Sequence, residues 1–159
     1  MSSWMWCHAP GVFDAYGSLA GPAARRLDPA LGSAPCAPAV ARPYLAIVGS
    51  ADDVLRTEGN WDKLFWTITP SLTKKTISWD DPDMVNEERF HTLARVPAVC
   101  GGAVSAPIEV DKTTRWSDCA GRVRLIRVNG ANHPMTSLSA IGGLVLKDEL
   151  AAFFLASEP

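Results

Sequence analysis

The chain has 159 residues, of which 47% are hydrophobic and 20% are charged, and its formal net charge at pH 7 is -2. This is about the length of one domain and supplies enough apolar residues for a core, which excludes disorder of the whole chain. The charge balance and the lack of a concentrated basic stretch argue against nucleic acid as a partner. No apolar run approaches the roughly 20 residues that cross a bilayer, so no membrane partner is predicted.

The four cysteines, Cys7, Cys36, Cys100 and Cys119, show no C-x-x-C spacing, and neither a metal site nor a cofactor is predicted. Their even number allows disulfides in an oxidising compartment. Cys100 and Cys119 form the best pair because both flank one irregular segment. Four reduced and partly buried thiols are the alternative. Residues 1–7 lack the basic region and cleavage site of a signal peptide, and the compartment stays open.

In chain order, the pattern begins with the end of a helix over residues 3–9, which Pro10-Gly11 breaks. A short strand is predicted within residues 12–21. Residues 22–42 are rich in Ala, Pro and Gly without periodicity and are predicted to form a loop. The nearly continuous apolar run over residues 43–48 predicts a parallel strand that is covered on both faces.

The middle of the chain, residues 53–120, is predicted to be an irregular and helical insertion. Within it, Asp80-Asp81-Pro82 is a helix start, and Pro97 is expected to end that helix. Residues 100–118 are predicted to be irregular. Several aromatic residues of this region either form a wall for an aryl ester or a hydrophobic polymer, or fill a core. They are Trp61, Phe65, Trp66 and Trp79.

The end of the chain contains a second apolar strand, residues 123–128, and a long apolar helix over residues 138–156 that is expected to pack across a sheet. Strands and helices alternate in an order that needs crossover connections. We therefore predict a single α/β domain over residues 1–159, with parallel strands and flanking helices.

Each of the two apolar strands is followed by a segment that carries an ionisable residue. Gly49-Ser50-Ala51-Asp52 follows the first strand, and Asn129-Gly130-Ala131-Asn132-His133 follows the second. Strand ends are rigid and the loops beyond them are free to adopt unusual conformations, which is how α/β enzymes place catalytic groups. Asp52 and His133 are therefore the candidate acid and base, with Asp53 as the rival of Asp52.

These segments resemble parts of a known fold. Residues 42–52 resemble the strand and turn that deliver the catalytic acid in α/β-hydrolases, and residues 123–133 with the helix after them resemble the histidine loop and closing helix. The likeness is greatest to the esterase group that contains poly(3-hydroxybutyrate) depolymerases and feruloyl esterases. Residues 13–21 and Cys119 carry that narrower resemblance, which covers most of the chain in order and matches its middle least.

The resemblance implies carboxylic ester hydrolysis through an acyl-enzyme, with a small-molecule or polymeric ester as substrate. Asp52 would accept a hydrogen bond from His133, and His133 would take the proton of a serine and return it to the leaving alcohol. Asp52 is preferred to Asp53 because the third position after Gly49 is where the family holds its acid. Esterases of this group are often secreted.

The nucleophile is where the sequence departs from the family. No G-x-S-x-G motif occurs, and when Trp4-Met5 is laid on the family pattern S-x-G-G-x-M, the serine falls immediately before Met1. The chain is therefore expected to be the C-terminal part of an α/β-hydrolase fold, without the N-terminal strands and the nucleophile elbow, and to be inactive alone. Ser2 or Ser3 would replace the serine only in a shortened elbow that has lost its glycines.

Two other interpretations stay open. One is a catalytically inactive α/β-hydrolase remnant that acts as an interaction module, and the other is a fragment of another α/β-hydrolase, such as a dienelactone hydrolase-like enzyme or a serine peptidase. A sheet that starts at the strand within residues 12–20 has an unpaired edge and leaves apolar surface on the last helix exposed. Self-association through that sheet edge is therefore expected.

The other two histidines are not predicted to belong to the site. His91 lies in a charged stretch and is predicted to occupy a solvated helix face. His8 follows Cys7 but has no third ligand at metal spacing, so it is predicted to be structural.

Overall fold

The computed structural model describes residues 2–21, 38–52 and 87–157. Helix α2 consists of three consecutive helical segments, and every other element is a single segment. The elements are α1 (Ser2–His8), β1 (Tyr16–Leu19), β2 (Tyr44–Gly49), α2 (Glu87–Phe90, His91–Arg95 and Val96–Cys100), β3 (Ile108–Val110), β4 (Thr113–Asp118), β5 (Val123–Val128), α3 (Met135–Gly142) and α4 (Leu146–Ala156). The predictions for Asp53, for the aromatic residues between positions 61 and 79 and for a helix start at positions 80–82 lie outside the described residues.

The strands form one mixed sheet in the order β1-β2-β5-β4-β3. β1, β2 and β5 are parallel, which confirms the prediction of an α/β fold with parallel strands. β4 runs antiparallel to both β5 and β3. The prediction that residues 100–118 are irregular is therefore wrong. A two-residue turn joins β3 to β4, and Asp111 in that turn has a φ of 51°, a conformation typical of tight hairpins.

Helices cover both faces of the sheet, and the alternation of side chains along β2 decides which face each residue joins. Tyr44, Ala46 and Val48 pack with α1 and α2, whereas Leu45 and Ile47 pack with α3 and α4. All six residues of β2 are buried, as the continuous apolar run predicts for a central parallel strand. The sheet therefore lies between two layers of helices.

Helix α2 continues through Pro97 to Cys100, so the prediction that Pro97 ends the helix is wrong. The segment His91–Arg95 is π-helical, and the backbone N–H of Val96 donates to the carbonyl of His91. A proline has no N–H and meets the carbonyl four residues earlier in a regular α-helix. The wider turn directly before Pro97 changes the position of those carbonyls, and the helix continues.

The C-terminal apolar stretch forms two helices, whereas its apolar pattern predicts a single helix over residues 138–156. α3 ends at Gly143, which has a φ of 62° and donates its N–H to the carbonyl of Ser139. This left-handed cap ends a helix at little conformational cost when the residue is glycine. None of the helices in the three described ranges is long and apolar enough to cross a membrane.

A disulfide joins Cys100, at the end of α2, to Cys119, just after β4. This confirms the pair that the sequence favours, and the alternative of four reduced thiols is wrong. Cys7 is disulfide-bonded as well. The Cys100–Cys119 bridge fixes α2 to the turn between β4 and β5.

Candidate acid–base site

Asp52 and His133 lie at the same edge of the sheet, because each follows the carboxyl end of one of two neighbouring parallel strands, β2 and β5. The Nδ1 atom of His133 is 3.0 Å from the Oδ2 atom of Asp52. The Asp52 side chain is fully buried, whereas 36% of the His133 side chain is exposed. Because a carboxylate only accepts hydrogen bonds, Nδ1 is the donor of this bond, and in the neutral imidazole Nε2 then carries a lone pair. We call these two residues the acid–base pair.

Three further hydrogen bonds join the loop after β2 to the loop after β5. The N–H of Ser50 donates to the carbonyl of Val128 (3.0 Å), and the N–H of Ala51 donates to the carbonyl of Ala131 (2.9 Å). The N–H of Gly130 donates to Oγ of Ser50 at 2.8 Å. The two loops therefore form one unit, and the acid–base pair lies at its end.

Gly49 permits this close approach of the two loops. A Cβ atom at this position would lie 2.2 Å from the carbonyl oxygen of Ala131, a distance that no side chain tolerates without a shift of the backbone. Gly130 contributes differently, since its φ of 82° lies in the region that glycine favours. Sequence reasoning missed both positioning roles, although a glycine at the end of the first apolar strand and another two residues after the second are the signal that indicates them.

The histidine loop is also fixed to the helix that follows it. The N–H of Asn132 donates to Oγ of Ser137 at 2.9 Å. The N–H groups of Ser137 and Leu138 both donate to the carbonyl of Pro134. Leu138 is fully buried beneath α3. His133 therefore lies between β5 and the first turn of α3, and both are anchored in the core.

Ser2 and Ser3, the alternative nucleophiles, make hydrogen bonds that connect α1 to the sheet. Oγ of Ser2 donates to the carbonyl of Gly17 at 2.6 Å. The hydroxyl of Ser3 lies 2.7 Å from that of Tyr44 and accepts a hydrogen bond from Arg95 at 3.2 Å. These contacts give both serines a role in fixing α1 against β1 and β2.

A second histidine–aspartate pair lies in the core, and it corrects the prediction that His91 occupies a solvated helix face. Nε2 of His91 is 2.7 Å from Oδ2 of Asp118, and 1% and 2% of the two side chains are exposed. Oδ1 of Asp118 accepts the N–H of Ser105 at 2.8 Å. We call His91 and Asp118 the buried pair.

The charged residues around His91 point inward because they share one face of α2. Glu87, His91 and Arg95 are each separated by four residues, and all three are buried. Arg95 forms an ion pair with Glu87, and its guanidinium lies 3.8 Å from the ring centre of Tyr44 and 4.6 Å from that of Phe90. Polar residues at helical spacing therefore face the sheet here, although the same spacing is usual for a solvated face.

The environment changes the ionisation of the buried pair. Burial lowers the pKa of His91, and the hydrogen bond from its ring to Asp118 only partly offsets this effect. Burial alone would raise the pKa of Asp118, but hydrogen bonds from His91 and Ser105 outweigh it and lower that pKa. The stable form is thus a neutral imidazole that donates to a carboxylate.

No group of three or more His, Cys, Asp and Glu side chains within the described ranges is placed to hold a metal ion. A groove of about 550 Å³ lies between the β3–β4 hairpin and the helices α3 and α4, with Arg115, Glu149, Ile141 and Val145 among its walls. Neither Asp52 nor His133 lines this groove. It is separate from the acid–base pair.

Comparison of the chain with models of protein families, with curated proteins and with solved structures finds no match. The resemblance to α/β-hydrolases therefore depends on the residues of this chain alone.

Proposed function

We propose that this chain supplies the acid and the base of a serine-esterase-type acyl-transfer site in an α/β-hydrolase domain, of the group that contains poly(3-hydroxybutyrate) depolymerases and feruloyl esterases. The observation that carries the proposal is the hydrogen bond between His133 and Asp52 at the carboxyl edge of two parallel strands. Dienelactone hydrolase-like enzymes and serine peptidases use the same pair. Carboxylic esters are proposed because of residues 13–21 and Cys119.

The contrast in exposure within the pair supports acid–base chemistry. Asp52 is fully buried and 36% of the His133 side chain is exposed, so the aspartate is withdrawn from solvent while the imidazole meets it. An aspartate that only caps a loop needs no histidine at hydrogen-bond distance. A general base needs one nitrogen fixed by an acceptor and the other within reach of the reacting group.

In the proposed reaction, Nε2 of His133 takes the proton of a serine hydroxyl as the serine oxygen attacks the ester carbonyl carbon. The imidazolium then gives this proton to the oxygen of the leaving alcohol as the ester C–O bond breaks. Water releases the acyl group by the same two proton transfers. Asp52 stays a carboxylate and stabilises the imidazolium. No G-x-S-x-G motif occurs in the 159 residues, so the serine itself is not assigned.

The test does not depend on the serine, because an imidazole nitrogen with a free lone pair attacks activated esters directly. The chain alone is expected to lack the serine-dependent turnover of a complete enzyme, but we expect slow hydrolysis of p-nitrophenyl butyrate by direct attack of the His133 imidazole, and no hydrolysis above background with His133→Ala. Asp52→Asn should lower the rate on the order of tenfold or more, because the wrong tautomer is favoured. His8→Ala is the matched control and should keep the full rate.

Equal hydrolysis by wild type and His133→Ala would contradict the proposal, as would the absence of hydrolysis in protein that is well folded by circular dichroism. The second outcome would favour the second candidate function, a non-catalytic module that acts through self-association.

The second candidate is supported by β1, which lies at the edge of the sheet, where β2 is its only strand partner within the described residues. On the neighbouring helix α4, Phe154 is 40% and Leu155 is 68% exposed. An open strand edge beside exposed apolar side chains is typical of an association surface. A second copy of this chain is the proposed partner.

Analytical ultracentrifugation at micromolar concentration tests the second candidate. Wild type should form dimers or larger species, and Leu155→Lys should shift them towards the monomer. Lys147→Ala, a change at an exposed position about two turns earlier on the same helix, is the control. A monodisperse wild-type monomer that melts cooperatively would rule out self-association.

A further inference from the structure

The contacts that join the two loops of the site differ in how they depend on side chains. Two of the cross-loop bonds, from Ser50 to Val128 and from Ala51 to Ala131, run between backbone atoms and tolerate many residue types. The bond from Gly130 ends on the side-chain oxygen of Ser50. Of these three bonds, only this one requires a particular side chain in the loop after β2.

The bond between Gly130 and Ser50 lies at the turn that directs the chain towards His133. Gly130 has a φ of 82°, and nothing lies within 4 Å of the position where its Cβ would be. A side chain at this position would therefore have no neighbour to pack against. Two hydrogen bonds hold the turn at this residue. The N–H of Gly130 donates to Oγ of Ser50, and the N–H of Ala131 donates to the carbonyl of Val128 at 3.2 Å.

We infer that Ser50 is a positioning residue for His133, because its hydroxyl fixes the Gly130 turn and thereby sets Nδ1 of His133 against Asp52. Only Ala131 and Asn132 lie between Gly130 and His133, so a rotation of the peptide before Gly130 moves the whole imidazole. The importance of this role for catalysis rests on the proposed function. The positioning itself is a property of the structure and is measurable without activity.

Two substitutions separate the hydroxyl from the rest of the side chain. Ser50→Ala removes the acceptor and leaves the N–H of Gly130 to water. Ser50→Thr keeps the hydroxyl and should restore wild-type behaviour. Ser117→Ala is the matched control, because Ser117 is an exposed residue of β4 and lies outside both loops.

The first readout is hydrogen exchange of single amides. In Ser50→Ala the Gly130 amide should exchange about fivefold faster, as expected for the loss of one net hydrogen bond. The amides of β5 should keep their wild-type rates. The second readout is the ¹⁵N spectrum of the His133 ring, in which the fraction of the Nδ1–H form should fall. Ser50→Thr and Ser117→Ala should match wild type in both readouts.

Unchanged exchange of Gly130 and an unchanged His133 ring in Ser50→Ala would overturn the inference. An equal increase of exchange at Gly130 and throughout β5 would also overturn it, because that result indicates a general loss of stability. If the His133 ring responds to Ser50→Ala while ester hydrolysis is independent of His133, the proposed function fails and the positioning role stands.

Discussion

The acid–base pair and the buried pair combine the same two residue types at similar distances, 3.0 Å between His133 and Asp52 and 2.7 Å between His91 and Asp118. They differ in which ring nitrogen meets the carboxylate. His133 uses Nδ1 and His91 uses Nε2. They differ also in exposure, since 36% of the His133 side chain and 1% of the His91 side chain meet solvent. A histidine–carboxylate hydrogen bond alone therefore does not distinguish an imidazole that meets solvent from one that is buried in the core.

The two pairs lie at opposite ends of β5. Asp118 is paired in register with Val123, the first residue of that strand, whereas His133 follows the last residue, Val128. Among the described residues, Nδ1 of His91 is buried and finds no hydrogen-bond partner. One end of the sheet thus holds a neutral histidine that stabilises the fold, and the other presents a histidine to solvent. Substitutions at each end separate these two roles.

The largest expected effect is that of Asp118→Asn. Both oxygens of Asp118 accept hydrogen bonds, from His91 and from Ser105, and an amide can accept only one of them. The loss of a charge-assisted hydrogen bond, together with one donor left unpaired in this buried site, should lower the free energy of unfolding by more than about 3 kcal/mol. Asp52→Asn should cost less than half as much, because His133 meets solvent. Urea unfolding followed by tryptophan fluorescence measures both, and equal losses would remove the distinction between the pairs.

Removal of the Cys100–Cys119 disulfide should have a slightly smaller effect. The bridge spans 19 positions in sequence and ends next to Asp118. A loop of this length corresponds to about 3 kcal/mol of stability. We expect that loss in the Cys100→Ser/Cys119→Ser double variant, with His133-dependent ester hydrolysis kept at temperatures below its unfolding. Loss of hydrolysis in the folded variant would show that the two ends of the sheet are coupled.

Gly49→Ala should disturb the two loops that hold the acid–base pair. The new methyl group would meet the carbonyl oxygen of Ala131 and force the two loops apart. We expect a loss of about 2 kcal/mol in stability, in the range of other overpacking substitutions. The hydrogen bond between His133 and Asp52 should weaken, while His91 stays as in wild type. Ring ¹⁵N spectra test this difference, and an unaltered His133 ring would show that the close approach does not position the pair.

The smallest effect should be a pH dependence that belongs to the buried pair. The pKa of His91 is lower in the folded chain than its ordinary 6.5, so the unfolded chain binds the proton first as the pH falls. Asp118, Glu87 and Arg95 face this ring. The stability from His91 is complete above about pH 7 and falls as the pH drops from about 6.5 to about 5.5, by at most about 1.4 kcal/mol.

His91→Gln is the control for this pH dependence, since glutamine still donates a hydrogen bond to Asp118 but does not titrate. Urea unfolding at the two pH values should show a smaller loss in this variant than in wild type. Asp118 contributes in a lower range, because its pKa lies below the ordinary 3.8 and its stabilisation is lost only as the pH falls below that value. An identical loss in both proteins would contradict the assignment to His91.

The sequence predicts well the end of the sheet that holds the acid–base pair. β2 is a continuous apolar run and β5 is apolar apart from two arginines. A loop with one candidate group follows each strand, so the sequence alone is enough to place Asp52 and His133 together. β3 is not predictable in this way, because it has only three residues and all of them are exposed.

The sequence does not predict the buried pair at the other end of β5, and the reason is physical. Glu87, His91 and Arg95 have the spacing and charge of a solvated helix face, and only the tertiary fold directs them into the core. The loop contacts of Gly49 and Ser50 become visible only when both loops are in place.

The most direct test is the position of the proton on the two imidazole rings, measured by ¹⁵N NMR of histidine-labelled protein at about pH 8, where an ordinary imidazole is neutral. We expect the His133 proton on Nδ1 with a bare Nε2, and the His91 proton on Nε2 with a bare Nδ1. Asp52→Asn should change the first ring and leave the second unchanged. A His133 proton on Nε2 in wild type, or a His133 ring indifferent to Asp52→Asn, would contradict the existence of an acid–base pair.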